Sequence, residues 1–511
     1  MTDPFGGPAP EPPLSRRAAR ESVTAKPVRA ARPPKLDPET GQPIPPSGIA
    51  ALIAQHPRIW VGTAIGVAFL LLGTGALFAG VAVGNAGSAS VSAPGDADEV
   101  IPQRDVPDEI PSATRLRTCS ITALATDPRL MSLRGQVLSS KTQEMLWGRG
   151  ANTPAAPASA VKLLTATAAL NALGAGHRLT TAVYESTVPG TIVLVGGGDA
   201  TLNSRESGEN VYKGAATLSQ LAQQVNETWA GTHGEEPITA IVLDSTFWSP
   251  NDKWDPTWSR SEQTRGYLSE VTALQVDGDR ADPTRQVSPR STDPVMRAGK
   301  AFAKALGIPD VPLSLGLNSS STKLGEVQSQ PVSTLVNQML LTSDGTLAEM
   351  LARATSVKMG LGGTSGSLGQ VVSGALQPLG IEMTDVTIID GSGFSPKNAV
   401  SPAFFAKFMT LVLGGANELT YVYNSLSEAG KTGTLADRFR GSAAVAREGV
   451  VAKTGKISTA HTLTGIVTAK DGSVLTFAFY ASGEGITDDA KAALDDLVAG
   501  VYGCGDNLSN T

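Results

Sequence analysis

Residues 154–166 read Pro154-Ala-Ala-Pro157-Ala-Ser159-Ala-Val-Lys162-Leu-Leu-Thr-Ala166. The two prolines stop any earlier helix, and residues 158–173 (ASAVKLLTATAALNAL) are a run of strong helix formers. That run is apolar nearly all round, which predicts a buried helix with Ser159 in its first turn. Positions i and i+3 share a helix face, so the Lys162 amine can reach the Ser159 hydroxyl. A serine hydroxyl is a weak nucleophile and needs an adjacent base. A lysine can be that base only where burial or neighbouring charge lowers its pKa, and this helix supplies burial. The same four residues also describe a capping serine followed by a solvated lysine. The reading therefore turns on partners elsewhere in the chain.

One partner is Lys453-Thr454-Gly455, on the strand-like GVVAKTGKIS. On an edge strand beside the serine it offers a cation and a hydroxyl for a carboxylate, and a glycine that permits close approach of a substrate backbone. The N–H of Lys456 can then point at a developing oxyanion together with that of Ser159. A second copy, Lys431-Thr432-Gly433, is followed by turn-like and helical sequence and reads as a decoy. It mimics the end of a phosphate-binding loop, but that loop needs glycine where Ser425 stands, so nucleotide binding is rejected. Between the two elements, Ser343-Asp344-Gly345 offers a further hydroxyl, although an asparagine at 345 is missing.

Composition narrows the classes. The 511 residues are 41% hydrophobic with net charge −6, which excludes wholesale disorder and the basic excess of nucleic-acid binders. Two cysteines and four histidines argue against a disulfide-rich scaffold and a Cys/His zinc site. No metal or cofactor is expected. A Ser-His-Asp triad is disfavoured, because no G-x-S-x-G elbow occurs. His177, His233 and His461 read as surface residues, with His461 within reach of a cleft edge. Asp390 and Ser392 read as loop formers, and Asp199 as part of a glycine-rich turn.

Residues 1–58 hold 13 of the 33 prolines and read as a disordered tail, with eight Lys/Arg against five Asp/Glu. Residues 59–83 carry no charge over 25 positions, about 37 Å as a helix and enough to span a bilayer. Residues 84–109 then hold six acidic residues and one basic. Since topology follows Lys/Arg, the N-terminus is expected inside and the remainder outside, on an uncleaved anchor. Residues 84–118 read as a linker. Cys119 and Cys504 nearly bracket the rest, and an oxidising exterior predicts a disulfide between them. Strands of a hairpin are expected at 135–139 and 142–147. Short strands and turns are expected through 180–290, then helices at 294–306, 331–356, 366–378 and 487–501.

With these residues assembled, the chain resembles the penicillin-recognising serine peptidases. Specifically, it looks like the D-Ala-D-Ala carboxypeptidase/endopeptidase family with a large insertion after the nucleophile helix (peptidase family S13, low-molecular-mass class C penicillin-binding proteins). PASAVKLLTATAAL, VGGGDATL (195–202), IVLDSTFW (241–248), LSEVTALQVDGD (268–279), DGSGFSPKNAVSP (390–402) and GTLADRF followed by VVAKTG carry the likeness, in order, over about residues 119–505. It implies an α/β (α+β) DD-peptidase and serine β-lactamase-like transpeptidase fold. The catalytic domain would be 119–179 and 293–511, split by a β-rich inserted domain at 180–292.

The resemblance also implies roles. Ser159 would attack the carbonyl between two D-alanines of a peptidoglycan stem peptide, and Lys162 would take its proton. Ser343 would relay a proton to the leaving amine, Lys453 would hold the electrostatics, and Thr454, Gly455 and Lys456 would bind substrate. β-Lactams would acylate Ser159. Two departures stand out: Gly345 replaces the family's usual Asn, and Lys456 replaces a Ser or Thr. They support an alternative, a catalytically weakened wall-binding or scaffold protein whose acylation would rise if Asn were restored at 345. A third reading, a β-lactamase, needs a deacylating group for which Glu349 and Glu382 have no place in the sequence pattern.

Overall fold

The computed structural model describes residues 116–510. The tail (1–58), the apolar run (59–83) and nearly all of the linker (84–118) lie outside the described residues. Among the described residues no helix is long and apolar enough to cross a membrane.

Two sheets organise the chain. The first is antiparallel. It runs β12 (Val474–Ser482), β11 (Ala460–Thr468), β10 (Val450–Ile457) and the short β9 (Ser427–Glu428). A hairpin of β2 (Ser132–Ser139) and β3 (Met145–Arg149) lies against β12. Gly135 allows this, because a Cβ there would run into the Phe479 ring. Phe477, Phe479, Leu463 and Val467 make one face of the sheet fully buried, and α9 (Asp489–Cys504) covers it with Leu494, Leu497, Val498 and Val501. Each such aliphatic or aromatic side chain contributes roughly 1.5–3 kcal/mol on burial.

Helix α1 (Val161–Leu173) is the hub of the all-helical layer. It is buried all round, as its composition requires. It packs against α4 (Val332–Thr342), α5 (Gly345–Lys358) and α6 (Leu368–Leu376), and it stops at Gly174, whose φ of +93° no other residue adopts readily. The helical pattern expected over 331–356 is broken. Ser343 takes φ +57° at the end of α4, and Asp344 caps α5 by accepting from the Leu347 N–H at 3.0 Å. Helix α7 (Pro402–Gly414) packs on β12 from the same layer, with the short α8 (Leu419–Asn424) against it.

The insertion differs from the strands and turns expected. Its five-stranded sheet has the order β7-β6-β5-β4-β8: β7 (Leu313–Leu315), β6 (Ala240–Asp244), β5 (Thr191–Gly196), β4 (Thr180–Glu185) and β8 (Lys323–Gln328). The pairs β5–β6 and β6–β7 are parallel, and the others antiparallel. Two helices, α2 (Leu218–His233) and α3 (Pro294–Ala305), share its core through Leu221, Val225, Trp229, Ala298 and Phe302. The unit is therefore mixed α/β rather than β-rich, and its sheet draws on chain out to Gln328. Helix α2 carries its own start signal, a Thr217/Gln220 capping box, and buries Leu218, Leu221, Ala222, Val225 and Trp229 at helical spacing.

The chain's ends are tied together. Cys119 is bonded to Cys504, with Cα atoms 5.4 Å apart, and β1 (Cys119–Ser120) pairs in parallel with β13 (Leu508–Ser509). Arg117 adds a bond to Glu144 at 2.8 Å and one to the Asp506 carbonyl at 3.0 Å. A crosslink of this span contributes about 2–5 kcal/mol, largely by restricting the unfolded chain.

Candidate active site

Ser159 sits in a tight turn, Ala158–Ala160, that leads directly into α1. The turn is held from two sides. Strand β10 passes so closely that a Cβ on Gly455 would strike the Thr462 hydroxyl and press on Pro157 and Ala158. Thr462 Oγ1 donates to the Pro157 carbonyl at 2.9 Å. From the other side Gly393 (φ +83°) lies against the Ala158 carbonyl. Gly455 thus makes room first for the nucleophile turn itself. Ala158 holds φ +48°, a left-handed conformation costly for an L-residue, and it aims the next side chain outward. Ser159 is 9% exposed, at the base of a cleft of about 510 Å³.

Behind it lies Lys162, fully buried. Its Nζ donates to Ser159 Oγ at 2.9 Å and to the Ser392 carbonyl at 2.5 Å. Burial pushes its pKa down to about 8, against the pull of the Asp390, Glu349 and Asp344 carboxylates. About one-tenth of it is therefore neutral at pH 7, far more than of an ordinary lysine. The loop that supplies Ser392 is built on Asp390, which accepts from the N–H groups of Gly393 (2.6 Å) and Ser395 (2.6 Å), from Asn398 Nδ2 (2.9 Å) and from Trp258 Nε1 (2.7 Å). Asp390 is a loop organiser, and the Ser392 backbone becomes part of the base's cradle.

Across the cleft, Lys453 Nζ donates to Ser343 Oγ at 2.8 Å and to the Thr454 carbonyl at 2.8 Å. Burial, with Lys162 nearby, holds Lys453 well below the ordinary lysine range. Thr454 Oγ1 bonds Thr434 Oγ1 at 2.8 Å, and Thr434 lines the cleft. The second Lys-Thr-Gly is indeed off any strand of the site. Lys431 is exposed beside Glu428, yet the residue immediately after that triplet enters the site. Lys456 also lines the cleft, but its ammonium is tied to Asp488 at 2.6 Å, with Lys491 at 3.0 Å from the same carboxylate. His461 faces Lys456 across the β10–β11 ladder and is a buried cleft residue, not a surface one. Burial pushes it down to about 4, so it is neutral near pH 7.

The insertion supplies a wall. Thr257, Ser259, Glu262, Arg265 and Tyr267 line the cleft. Arg438, Lys456 and Lys491 also line it, and each of these cations is already paired: Arg265 with Glu262 at 3.1 Å, Arg438 with Asp495 at 2.7 Å, and Lys456 and Lys491 sharing Asp488, an arrangement of four cations on three carboxylates. The insertion also fixes the Ser343 turn. Asp344 is fully enclosed and receives Arg280 Nη2 at 2.7 Å and the Tyr212 hydroxyl at 2.9 Å, which holds its carboxyl far below the usual range despite burial. Arg280 follows three consecutive left-handed residues, Asp277, Gly278 and Asp279, and is itself fully buried. Replacing Arg280 with methionine is expected to cost about 3–5 kcal/mol, because it strands the Asp344 charge. Adding Asp344→Asn should recover part of that loss. Denaturant midpoints of the single and double variants check this, and a double variant weaker by the full sum would contradict it.

Gly345 has a neighbour that explains it. A Cβ there would lie 2.5 Å from Phe394 Cε2 and 3.4 Å from Leu268. Phe394 lines the cleft, and its ring centre is 5.5 Å from Lys162 Nζ. An asparagine at 345 therefore cannot simply be restored, since the aromatic ring holds its place. Glu349, on α5, is buried beside the Ser392 hydroxyl without a hydrogen bond of ordinary geometry. Burial, with Asp390 close by, pushes its carboxyl up to about 7. It is not among the cleft-lining residues.

The comparisons agree with this geometry. The sequence matches the D-Ala-D-Ala carboxypeptidase 3 (S13) family over residues 118–286 and 279–501. It is 33% identical over 421 residues to carboxypeptidase DacB of Mycolicibacterium smegmatis, covering 81% of this chain and 89% of that one. A carboxypeptidase of Mycobacterium tuberculosis is 31% identical over 406 residues, covering 77% and 85%. In three dimensions the fold is similar to penicillin binding protein 4 (dacB) of Haemophilus influenzae, with a TM-score of 0.61 at 18% identity over 73% of this chain and 95% of that one. A nucleophile turn, a buried lysine and a Lys-Thr-Gly strand facing one another across a cleft, with matches along nearly all of the described chain, place this protein in the D-Ala-D-Ala carboxypeptidase 3 (S13) family.

Proposed function

We propose that this chain is a penicillin-binding serine D-Ala-D-Ala carboxypeptidase that trims peptidoglycan stem peptides through an acyl-enzyme on Ser159. The observation that carries the reading is the 2.9 Å bond from the buried Lys162 amine to the Ser159 hydroxyl, at the base of a cleft that the Lys453-Thr454-Gly455 strand borders. Neutral Lys162 takes the Ser159 proton as Oγ attacks the carbonyl between the two D-alanines. The carbonyl oxygen becomes an oxyanion, for which the Ser159 and Lys456 N–H groups are the assigned donors. The C–N bond then breaks, and the departing amine takes the proton that Lys162 had accepted, relayed through Ser343, which Lys453 positions; Lys162 is neutral again. Thr454, with Thr434 behind it, receives the terminal carboxylate. Water, deprotonated by Lys162, attacks the ester, and Ser159 regains its proton as the shortened peptide leaves.

The proposal places the tail of residues 1–58 in the cytoplasm, the span of 59–83 in the membrane and the catalytic body outside, at the peptidoglycan. It takes residues 180–328 as the insertion, since its sheet ends with β8. Incubation of the outer fragment with benzylpenicillin, followed by intact-mass and peptide mapping, should find one penicilloyl group on Ser159, and a pentapeptide should release D-alanine. Failure of both would defeat the proposal. The scaffold alternative draws on Gly345 and Lys456, and predicts that D-alanine release is absent while the fold binds wall peptide. The β-lactamase reading requires rapid loss of the penicilloyl group. Glu349 lies behind the nucleophile rather than in the cleft lining, which favours a long-lived adduct.

A further inference from the structure

The two ends of the cleft differ in chemistry. Around Thr454 the lining is polar: Thr434 is hydrogen-bonded to Thr454, and Arg438, Lys456 and Lys491 stand in ion pairs with Asp495 and Asp488. Between Ser159 and Ser343, on the side of the base, the wall is the Phe394 ring. Gly345 contributes no side chain there, and Leu268 backs the space from the insertion. The neighbouring hydroxyls are already engaged. Thr257 Oγ1 is bonded to Asp255 at 2.5 Å and to Ser395 at 2.7 Å, and Ser259 is bonded to Ser261 at 2.8 Å. Phe394 itself is half-buried, with one side packed on the cluster of Trp258, Leu268 and Met350 and the other turned to the cleft.

We propose that Phe394 is a specificity-determining residue: it occupies the space in front of Gly345 and receives an apolar side group of the acyl donor, so that this wall reads the donor by contact with the ring and not by a side-chain amide. Gly345 is its obligate complement, because any side chain at 345 meets the ring. The proposal rests on the acyl-enzyme reading and deepens it. It names the chemistry accepted on the donor side: aromatic or aliphatic groups are favoured, and an exposed amide or charge gains nothing there. Loss of one good aromatic contact in a cleft of this kind is worth about tenfold in acylation rate.

The test uses two β-lactams that share a nucleus, benzylpenicillin with its phenylacetamido group and 6-aminopenicillanic acid without it. Second-order acylation of Ser159 is measured by intact mass for the parent, Phe394→Leu, Gly345→Asn and the double variant. Phe394→Leu is expected to slow benzylpenicillin about tenfold while leaving 6-aminopenicillanic acid within about twofold. Gly345→Asn alone should slow both compounds, because the ring blocks the new side chain, and adding Phe394→Leu should relieve that loss. Equal slowing of both compounds by Phe394→Leu would assign the ring a merely structural role beside Lys162 and overturn the inference. So would a Gly345→Asn variant that acylates as fast as the double variant. These results leave the acyl-enzyme intact. A parent that takes no penicilloyl group on Ser159 overturns the acyl-enzyme reading, and this inference with it.

Discussion

Ser159→Ala is expected to abolish the penicilloyl adduct and to lower D-alanine release by about 10⁶-fold, the scale on which removal of a nucleophile acts in serine hydrolases. No other hydroxyl in the site is placed to take over. Ser392 is fully buried, with its backbone rather than its side chain engaged by Lys162. Ser343 is bonded to Lys453 Nζ and sits at the left-handed end of α4, across the cleft from the Ser159 turn. The turn that presents Ser159 is set by Pro157, Ala158 and the close pass of β10, none of which depends on the hydroxyl. The variant should therefore fold normally and still bind a D-Ala-D-Ala peptide through the Lys453-Thr454-Gly455 strand. Unchanged melting, retained peptide binding and absent chemistry form the expected triad. A Ser159→Ala protein releasing D-alanine within tenfold of the parent would move the nucleophile elsewhere.

The second large effect belongs to Lys162. Replacement by methionine keeps the volume in the buried helix and removes the base, with an expected loss of about 10²–10⁴-fold in acylation. The parent should also show a characteristic pH dependence. The reactive form of Lys162 is the neutral amine, and its pKa in the free enzyme is lowered to about 8, burial being the chief cause. The rate constant for acylation at low penicillin concentration should therefore rise about tenfold per pH unit below 8 and level off above it. Glu349→Gln offers a signed control. It removes a carboxyl that favours protonated Lys162 only where it is ionised, above about pH 7, so the upper part of the limb should move to lower pH while the part below stays in place. A limb that survives in Lys162→Met would assign the titration to another group.

What could be read from the chain alone was chemistry carried by one element at short spacing. Ser159 and Lys162 lie three positions apart on one helix, and Lys453-Thr454-Gly455 lies along one strand, so local pattern and structural position coincide. The two cysteines were legible because they bracket a long apolar-rich stretch. Less legible were groups that meet only after the insertion docks. Arg280 and Tyr212 reach Asp344 from 64 and 132 residues away, and no periodicity announces such a pair. Phe394 answers Gly345 in the same way, so that an apparent defect in a Ser-x-Asn triplet becomes one half of a packed contact. Thr434 was hidden by its neighbourhood, since the triplet before it mimics the real one. Helix α2 is a different case. Its capping box and its apolar spacing were present, but strand-like segments on both sides outweighed them.

The clasp between Cys119 and Cys504 has a mechanical meaning. The chain enters the described body at the point where it nearly ends, and the entering strand β1 is only two residues long. Alone, a strand that short would peel under tension. The covalent link instead passes any pull on residue 118 into the C-terminal end of α9. That helix is stiff, and Lys491, which borders the cleft, lies on it roughly 20 Å from Cys504 at 1.5 Å per residue. The link therefore fixes the first described residues to the same helix that brings Lys491 to the cleft, so a change of direction at the entry strand is felt along that helix.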